Sequence, residues 1–328
     1  MVGGLGVSIH RPFDKKFMDK IIKELKAKNS MPDFLSYYLW HISISLDSVE
    51  KEQPNLNVLF FEKNEINNKI SELKVHSAAA YSPGNDESES AYKKPPLYIT
   101  EWNIDYTCKN LIHDSLFKAP FIIKSAIDTM DSIDALAYWL ASDISAEYID
   151  SEAPLFGGPG LISRNGIRKP AFYAYQFLSK LGGQLLVKGD GYIICAIAED
   201  EYVAIIYNYK YINKHLRFLE QLSYASGSLD DYLEDTKECS FNVEIKNRNP
   251  GRYKIRQHIL NSSHGSVYDT WIGLSAIQNL SISEAKWLEQ TCFPHLIINY
   301  LTAKDSLNIH CELKANEVRL LEISRVFE

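Results

Sequence analysis

The residues best suited to chemistry in this chain are Thr100-Glu101-Trp102-Asn103. The apolar run Leu97–Thr100 before them reads as a strand, which places Glu101 at the strand's carboxyl end. A carboxylate there can attack carbon or take up a proton. Trp102 beside it offers a flat face for stacking against a ring, and Asn103 can hold a hydroxyl. A carboxylate that caps a turn or joins a surface ion pair has the same local sequence, so spacing alone leaves both readings open.

A second set follows the next apolar run. In Tyr138-Trp139-Leu140-Ala141-Ser142-Asp143 an aromatic pair closes a strand, Asp143 stands just past it, and Glu147 comes one helical turn later. Taken alone, a buried Trp with a capping Asp is the simpler account. Leu155-Phe156-Gly157-Gly158-Pro159-Gly160 is a tight glycine turn; no Lys-Ser/Thr follows, so it is not a phosphate cradle. His113-Asp114-Ser115 lie too close together for a nucleophile relay, whose members must converge from separate elements, so helix capping is expected. The remaining histidines (His10, His41, His76, His215, His258, His264, His295 and His310) show no ligand spacing, and neither a metal nor another cofactor is expected.

The elements that must position these residues alternate in the first half. Val2–Ile9 reads as a strand, and Asp14–Lys28 as a helix with Phe17, Ile21, Ile22 and Leu25 on its inner face. Phe34–Leu39 is a strand, and Phe61–Val75 a helix facing inward with Ile66, Ile70 and Leu73. Ser77–Lys94 is polar and turn-rich and is expected to be a mobile loop. Asp114 or Ser115 is placed to cap a helix running to about Met130, with Phe117, Phe121 and Ile127 inward. Ala135–Leu140 is a strand, and Ala171–Leu181 a helix stopped by Gly182-Gly183. Such alternation implies parallel strands, with chemistry at their carboxyl ends. From Gln184 onward short strands dominate: Gln184–Val187, Tyr192–Ala198, Tyr202–Tyr207, Phe241–Lys246, Tyr253–Leu260, Leu307–Leu313 and Val318–Ile323. Helical insertions near His215–Leu222 and Ser283–Gln290 interrupt them.

Whole-chain properties narrow the function. The 328 residues, 45% hydrophobic and 12% aromatic, supply a large core and exclude a disordered chain. A net charge of −7 argues against nucleic-acid binding through this segment. Five cysteines without a CxxC pair read as reduced thiols. The opening residues are too short and uncharged for a signal peptide, and no run reaches a membrane span, so a cytoplasmic location without membrane attachment is expected.

Taken in order, these segments resemble glycoside hydrolase family 39, which includes β-xylosidases. Val2-Gly3-Gly4 resembles the opening of that family's fifth barrel strand, and Pro32-Asp33-Phe34-Leu35-Ser36 its sixth. Ile99-Thr100-Glu101-Trp102-Asn103 resembles the seventh, which carries the catalytic nucleophile. Ala137–Asp143 is similar to the eighth, and Leu155–Leu161 with Ile167-Arg168-Lys169-Pro170 to the segment before the last helix. The resemblance implies an α/β plus all-β chain: the last four β/α units of a TIM-type barrel over residues 1–182, then a β-sandwich over 183–328. It implies retaining hydrolysis of a β-glycoside, with Glu101 as nucleophile and Trp102, Asn103, Trp139, Asp143, Glu147, Tyr38 and Trp40 around the substrate. The partner would be a β-xyloside or related oligosaccharide.

The departures are specific. The family's acid/base Glu follows an Asn at the end of the fourth strand, upstream of this chain, and no Asn-Glu-Pro occurs here. The family's His and Tyr after the sixth strand correspond to Tyr38 and Trp40, and its His before the glycine turn is missing. Of two substrate-binding Glu residues after the eighth strand, Ala146 and Glu147 remain. The Glu-Trp-Asn form of the nucleophile motif also resembles the family-39-like domains attached to AraC-type transcriptional regulators, which implies sugar sensing with impaired catalysis as the alternative. A half-barrel exposes two sheet edges and an apolar inner face. Homo-oligomerisation through that face is therefore expected, unless the sandwich and the 42–94 excursion cover it.

Overall fold

The computed structural model describes residues 3–8, 12–41, 43–44, 58–59, 65–81, 96–104, 110–144, 153–212, 229–246 and 249–326. The chain divides into two compact units, Met1–Tyr106 with Asp128–Trp139, and Thr107–Ile127 with Leu140–Glu328.

In the first unit, β1 (Gly3–Ser8), α1 (Pro12–Ala27), β2 (Phe34–Trp40), a two-stranded ribbon of β3 (Ser43–Ile44) and β4 (Val58–Leu59), α2 (Glu65–Tyr81) and β5 (Leu97–Asn103) follow in order. The last strand of this unit is β6 (Ala135–Tyr138). A parallel sheet runs β1-β2-β5-β6, in chain order. Strands β2 and β5 lie centrally, and Leu35, Tyr37, Leu39, Leu97 and Ile99 are buried, as expected where a parallel sheet is covered. Helix α1 turns Met18 and Ile22 inward while Phe17 is exposed, so its buried stripe is displaced one residue from the expected face. Helix α2 buries Ile66, Ile70 and Leu73 as anticipated, then continues through Ser77 and Ala80 where a loop was expected. The hydroxyl of Tyr81 donates to Pro32 O at 2.7 Å, and three consecutive alanines favour the extra turn. The rest of the expected loop, 82–94, lies outside the described residues.

His76 of α2 joins buried Tyr37 on β2 to Asp19 on α1. The Tyr37 hydroxyl meets His76 Nδ1 at 3.2 Å, and His76 Nε2 meets Asp19 at 2.9 Å. Burial raises the Tyr37 phenol well above its ordinary value. From α2, Lys69 Nζ donates to the carbonyl of Trp40 at 2.8 Å and fixes the carboxyl end of β2.

The second unit begins with a single 3₁₀ turn, Leu111–His113, capped by Asn110, whose Oδ1 accepts the Ile112 N–H at 3.2 Å. Helix α3 (Lys118–Thr129) starts beyond Asp114 and Ser115, so neither caps it; Phe117, Phe121 and Ile127 are buried as expected. Helix α4 (Pro170–Leu178) has Pro170 in its first turn. The strands β7 (Gln184–Gly189), β8 (Tyr192–Ala198), β9 (Glu201–Tyr207), β10 (Cys239–Lys246) and β11 (Gly251–Leu260) follow, then α5 (Val267–Gly273) and α6 (Ile282–Thr291). The chain closes with β12 (His295–Ala303), β13 (Ser306–Leu313) and β14 (Val318–Val326). The expected helix near His215–Leu222 lies outside the described residues, whereas α5 and β12 were not anticipated.

An antiparallel six-stranded sheet runs β12-β11-β14-β9-β8-β7, and β10 pairs with β13 separately. Ala204, Ile206, Tyr253, Ile255, Leu321 and Ile323 from the large sheet share one core with Val243, Ile245, Leu307, Ile309, Cys311 and Leu313 from the small one. Among the described residues, no helix is long and apolar enough to cross a membrane.

Candidate active site

Glu101 lies near the carboxyl end of β5, within the strand rather than after it. Its ladder with β2 runs Tyr37↔Ile99 and then Tyr38↔Glu101, so Thr100 is an extra residue on β5. The ladder with β6 skips from Ile99 to Trp102 over the same stretch. Such a bulge bends a strand and re-aims the next side chain. It sets the half-exposed Glu101 beside the half-exposed Tyr38. Burial, the Glu101 charge and a hydrogen bond to Glu101 together raise the Tyr38 phenol above its ordinary range. A bond that favours the neutral phenol is one in which the hydroxyl donates and the carboxylate accepts.

Aromatic rings surround the same strand ends. Trp40 and Trp139 meet edge to face with centroids 5.5 Å apart; Trp139 is half-exposed and Trp40 almost buried. Trp102 departs from expectation, because it is fully buried, 5.8 Å from Tyr138 and 6.1 Å from His41 between centroids. It is a core residue and has no face left for a sugar. Asn103 is also fully buried. Its Nδ2 donates to the carbonyl of Trp139, its Oδ1 accepts the Ile104 N–H at 2.7 Å, and its carbonyl accepts the His41 N–H at 3.3 Å. These bonds tie β2, β5 and β6 together at their carboxyl ends, so Asn103 positions the rim instead of holding a hydroxyl. Among the expected residues, the first unit thus gathers Glu101, Tyr38, Trp139 and Trp40.

Asp143 belongs to the second unit and has a different use. Its side chain and those of Asp114 and Lys169 are completely buried. Lys169 Nζ lies 2.5 Å from Asp114 Oδ1, 2.5 Å from Asp143 Oδ2 and 2.8 Å from Gly158 O, three acceptors for three N–H donors. Asp114 Oδ2 accepts the Gly157 N–H and Asp143 Oδ1 the Gly160 N–H, each at 2.7 Å. Neither carboxylate caps a helix, and that of Asp143 is committed inside the protein rather than to substrate. Burial pushes the Asp114 carboxyl up to about 6 against the pull of Lys169, and the neighbouring Asp143 charge adds to the rise. Burial works against the Lys169 ammonium, but the two carboxylates overcome it and raise the group above its ordinary value.

The glycine turn is built around this cluster. A Cβ on Gly158 or Gly160 would come within 2.5 Å of Asp143 Oδ1. Sequence reasoning missed Lys169 and the role of Asp114. One signal was available: Lys169 occupies the N-cap of α4, where a cation faces the positive end of the helix dipole, so it calls for buried counter-charge. Glu147 lies outside the described residues.

The family model for glycosyl hydrolases family 39 matches residues 87–295, more than half of the chain. The chain belongs to that family. A β-xylosidase of Geobacillus stearothermophilus is 26% identical over 240 residues, 73% of this chain and 43% of that protein. An uncharacterized HTH-type transcriptional regulator of Staphylococcus aureus is 19% identical over 289 residues, 85% of this chain and 37% of that protein. The crystal structure of a monomeric β-xylosidase from Caulobacter crescentus CB15 superposes with a TM-score of 0.80 at 21% identity, over 99% of this chain and 61% of that one. The chain therefore spans less than two thirds of the length of each of these relatives.

Proposed function

We propose that this chain is the nucleophile-bearing portion of a retaining β-glycosidase of β-xylosidase type. On this reading, residues 1–182 are the last four units of a (β/α)₈ barrel and 183–328 a β-sandwich. The four parallel strands in chain order and the core shared by two antiparallel sheets support it. The observation that carries the functional reading is Glu101 on a bulge at the carboxyl end of β5, facing Tyr38.

Glu101 attacks the anomeric carbon as the bond to the leaving oxygen breaks, and the electron pair departs with the aglycone. A proton for that oxygen comes from a second carboxylic acid, about 5–5.5 Å from the nucleophile in retaining enzymes. Water then releases the sugar. Trp139, braced by Trp40, forms one wall of the sugar site, and Glu147 is proposed to contact hydroxyls. Asp143 acts through the backbone it holds. A leaving group that departs without a proton isolates the nucleophilic step from proton donation. A 2,4-dinitrophenyl 2-deoxy-2-fluoro-β-xyloside should transfer its sugar to Glu101, a mass increase that peptide mapping places on that residue. No adduct, or an adduct elsewhere, refutes the assignment.

A second reading is a catalytically impaired sugar-sensing domain of an AraC-type regulator. It is favoured by the regulator similarity extending over 85% of this chain, against 73% for the β-xylosidase, and by Tyr38 and Trp40 in place of the family's His and Tyr. It predicts calorimetric heat with xylose or xylo-oligosaccharides, lost in Trp139→Ala, without any adduct on Glu101. A cytoplasmic location accompanies both readings. Self-association is proposed for the chain on its own, through the edges of β1 and β6, each paired on one side only among the described residues.

A further inference from the structure

Strand β1 carries three glycines in Gly3-Gly4-Leu5-Gly6, a poor composition for a strand unless something must approach its backbone closely. At Gly6 that something is Tyr38. The register pairs Tyr38 with Ser8, yet the phenol leans back over Gly6, where a Cβ would overlap the hydroxyl and lie 2.5 Å from Cζ. On the other side of β2, the register partner of Tyr38 is Glu101. The phenol is therefore held between a gap on β1 and a carboxylate on β5. Gly6 is not in the left-handed region, so the backbone accepts alanine there and only the phenol is displaced.

We infer that Tyr38 is a positioning residue for Glu101, holding the carboxylate ionised and oriented through its O–H, and that Gly6 supplies the space that lets it do so. This rests on the reading of Glu101 as nucleophile. The donor is a phenol whose placement depends on a glycine of the neighbouring strand. A carboxylate that accepts such a bond is a better-oriented but less basic nucleophile, and one that stays ionised to lower pH. Neither Tyr38 nor Gly6 need touch the reacting carbon.

The test is the titration of the Glu101 carboxyl, followed by NMR of protein labelled with ¹³C-glutamate and assigned by loss of the signal in Glu101→Gln. Tyr38→Phe should raise the midpoint by about one pH unit, the size expected for losing a hydrogen bond to a charged group. Gly6→Ala should shift it in the same direction although residue 6 does not contact Glu101, and Tyr38→His should restore most of the original value. Reciprocally, Glu101→Gln should lower the Tyr38 titration toward the ordinary phenol value. Unchanged midpoints in both Tyr38→Phe and Gly6→Ala, with the fold intact by circular dichroism, overturn the inference. If Tyr38→Phe does not fold, Gly6→Ala and the Tyr38 signal in Glu101→Gln decide it. The fluoroxyloside adduct is read separately: no adduct with shifted midpoints sinks the nucleophile assignment alone, and an adduct with unshifted midpoints sinks the role of Tyr38 alone.

Discussion

Replacing Lys169 with Met removes the ammonium that two buried carboxylates share. Deleting one partner of a buried ion pair costs about 3–5 kcal/mol, because the other charge is left without compensation. Here one ammonium serves Asp114 and Asp143 at 2.5 Å each and also donates to Gly158 O, so the cost belongs at the upper end, about 5 kcal/mol. At roughly 2–4 °C per kcal/mol for a unit of about 200 residues, the melting temperature of the second unit should fall by about 10–20 °C.

The deficit should also depend on pH. The Asp114 carboxyl titrates at about 6 in the folded protein, above its ordinary 3.8, so the folded state binds more protons between these values. Its contribution to stability is therefore highest at low pH, falls as pH rises through that window, and is flat above it. Without Lys169 the carboxyl rises further, so the loss in Lys169→Met should be greatest at pH 7 and shrink toward pH 5. Lys169 itself is raised, so its contribution is complete below its ordinary value and fades only as pH climbs through the higher folded one. Urea unfolding at pH 5, 6, 7 and 8 measures all of this. A variant within about 1 kcal/mol of the parent at pH 7, or a deficit independent of pH, refutes the argument. A triple variant that also carries Asp114→Asn and Asp143→Asn has no orphaned charge and should recover at least half of the loss.

Other changes test neighbouring features. Gly160→Ala puts a methyl within 2.5 Å of the Asp143 amide and carboxylate and should cost about 2–4 kcal/mol; Gly166→Ala meets nothing within 4 Å and should cost about 1–2 kcal/mol for its positive φ alone, both read by thermal melts. Asn103→Leu abandons the Trp139 carbonyl and the Ile104 amide in a dry interior, and should lower stability by about 1–3 kcal/mol in urea unfolding while also loosening the Trp139 ring. Glu101→Gln should eliminate the fluoroxyloside adduct without lowering the melting temperature by more than a degree or two.

Much of the fold was legible because burial leaves a period. Ile66, Ile70 and Leu73 repeat every three or four residues, and the central strands of the parallel sheet, Phe34–Trp40 and Leu97–Asn103, are mostly apolar. The failures have physical causes. His295–Ala303 is an edge strand with both faces partly exposed, and its run of Leu296, Ile297 and Ile298 lacks the alternation that marks a half-buried strand. Helix α5 is short, but its start was readable: Ser266 accepts the Asp269 N–H, the spacing of a capping motif. The position of Glu101 near the carboxyl end of β5 was legible from the apolar run before it. The use of Trp102 and Asn103 was not, since exposure depends on what the neighbouring strands bring over them. Asp114 and Lys169 are 55 residues apart in sequence, and no local pattern announces a pair joined only by tertiary folding.

The wrapping of the glycine turn around Lys169 has a dynamic consequence. The Gly157 and Gly160 amides are each latched by a carboxylate, and both latches share a single cation. Neither can swing outward without unseating the other's anchor, so in deuterated solvent the two hydrogens should wash out in step. The backbone around Asp114, Asp143, the glycine turn and Lys169 thus opens as one knot or stays shut together.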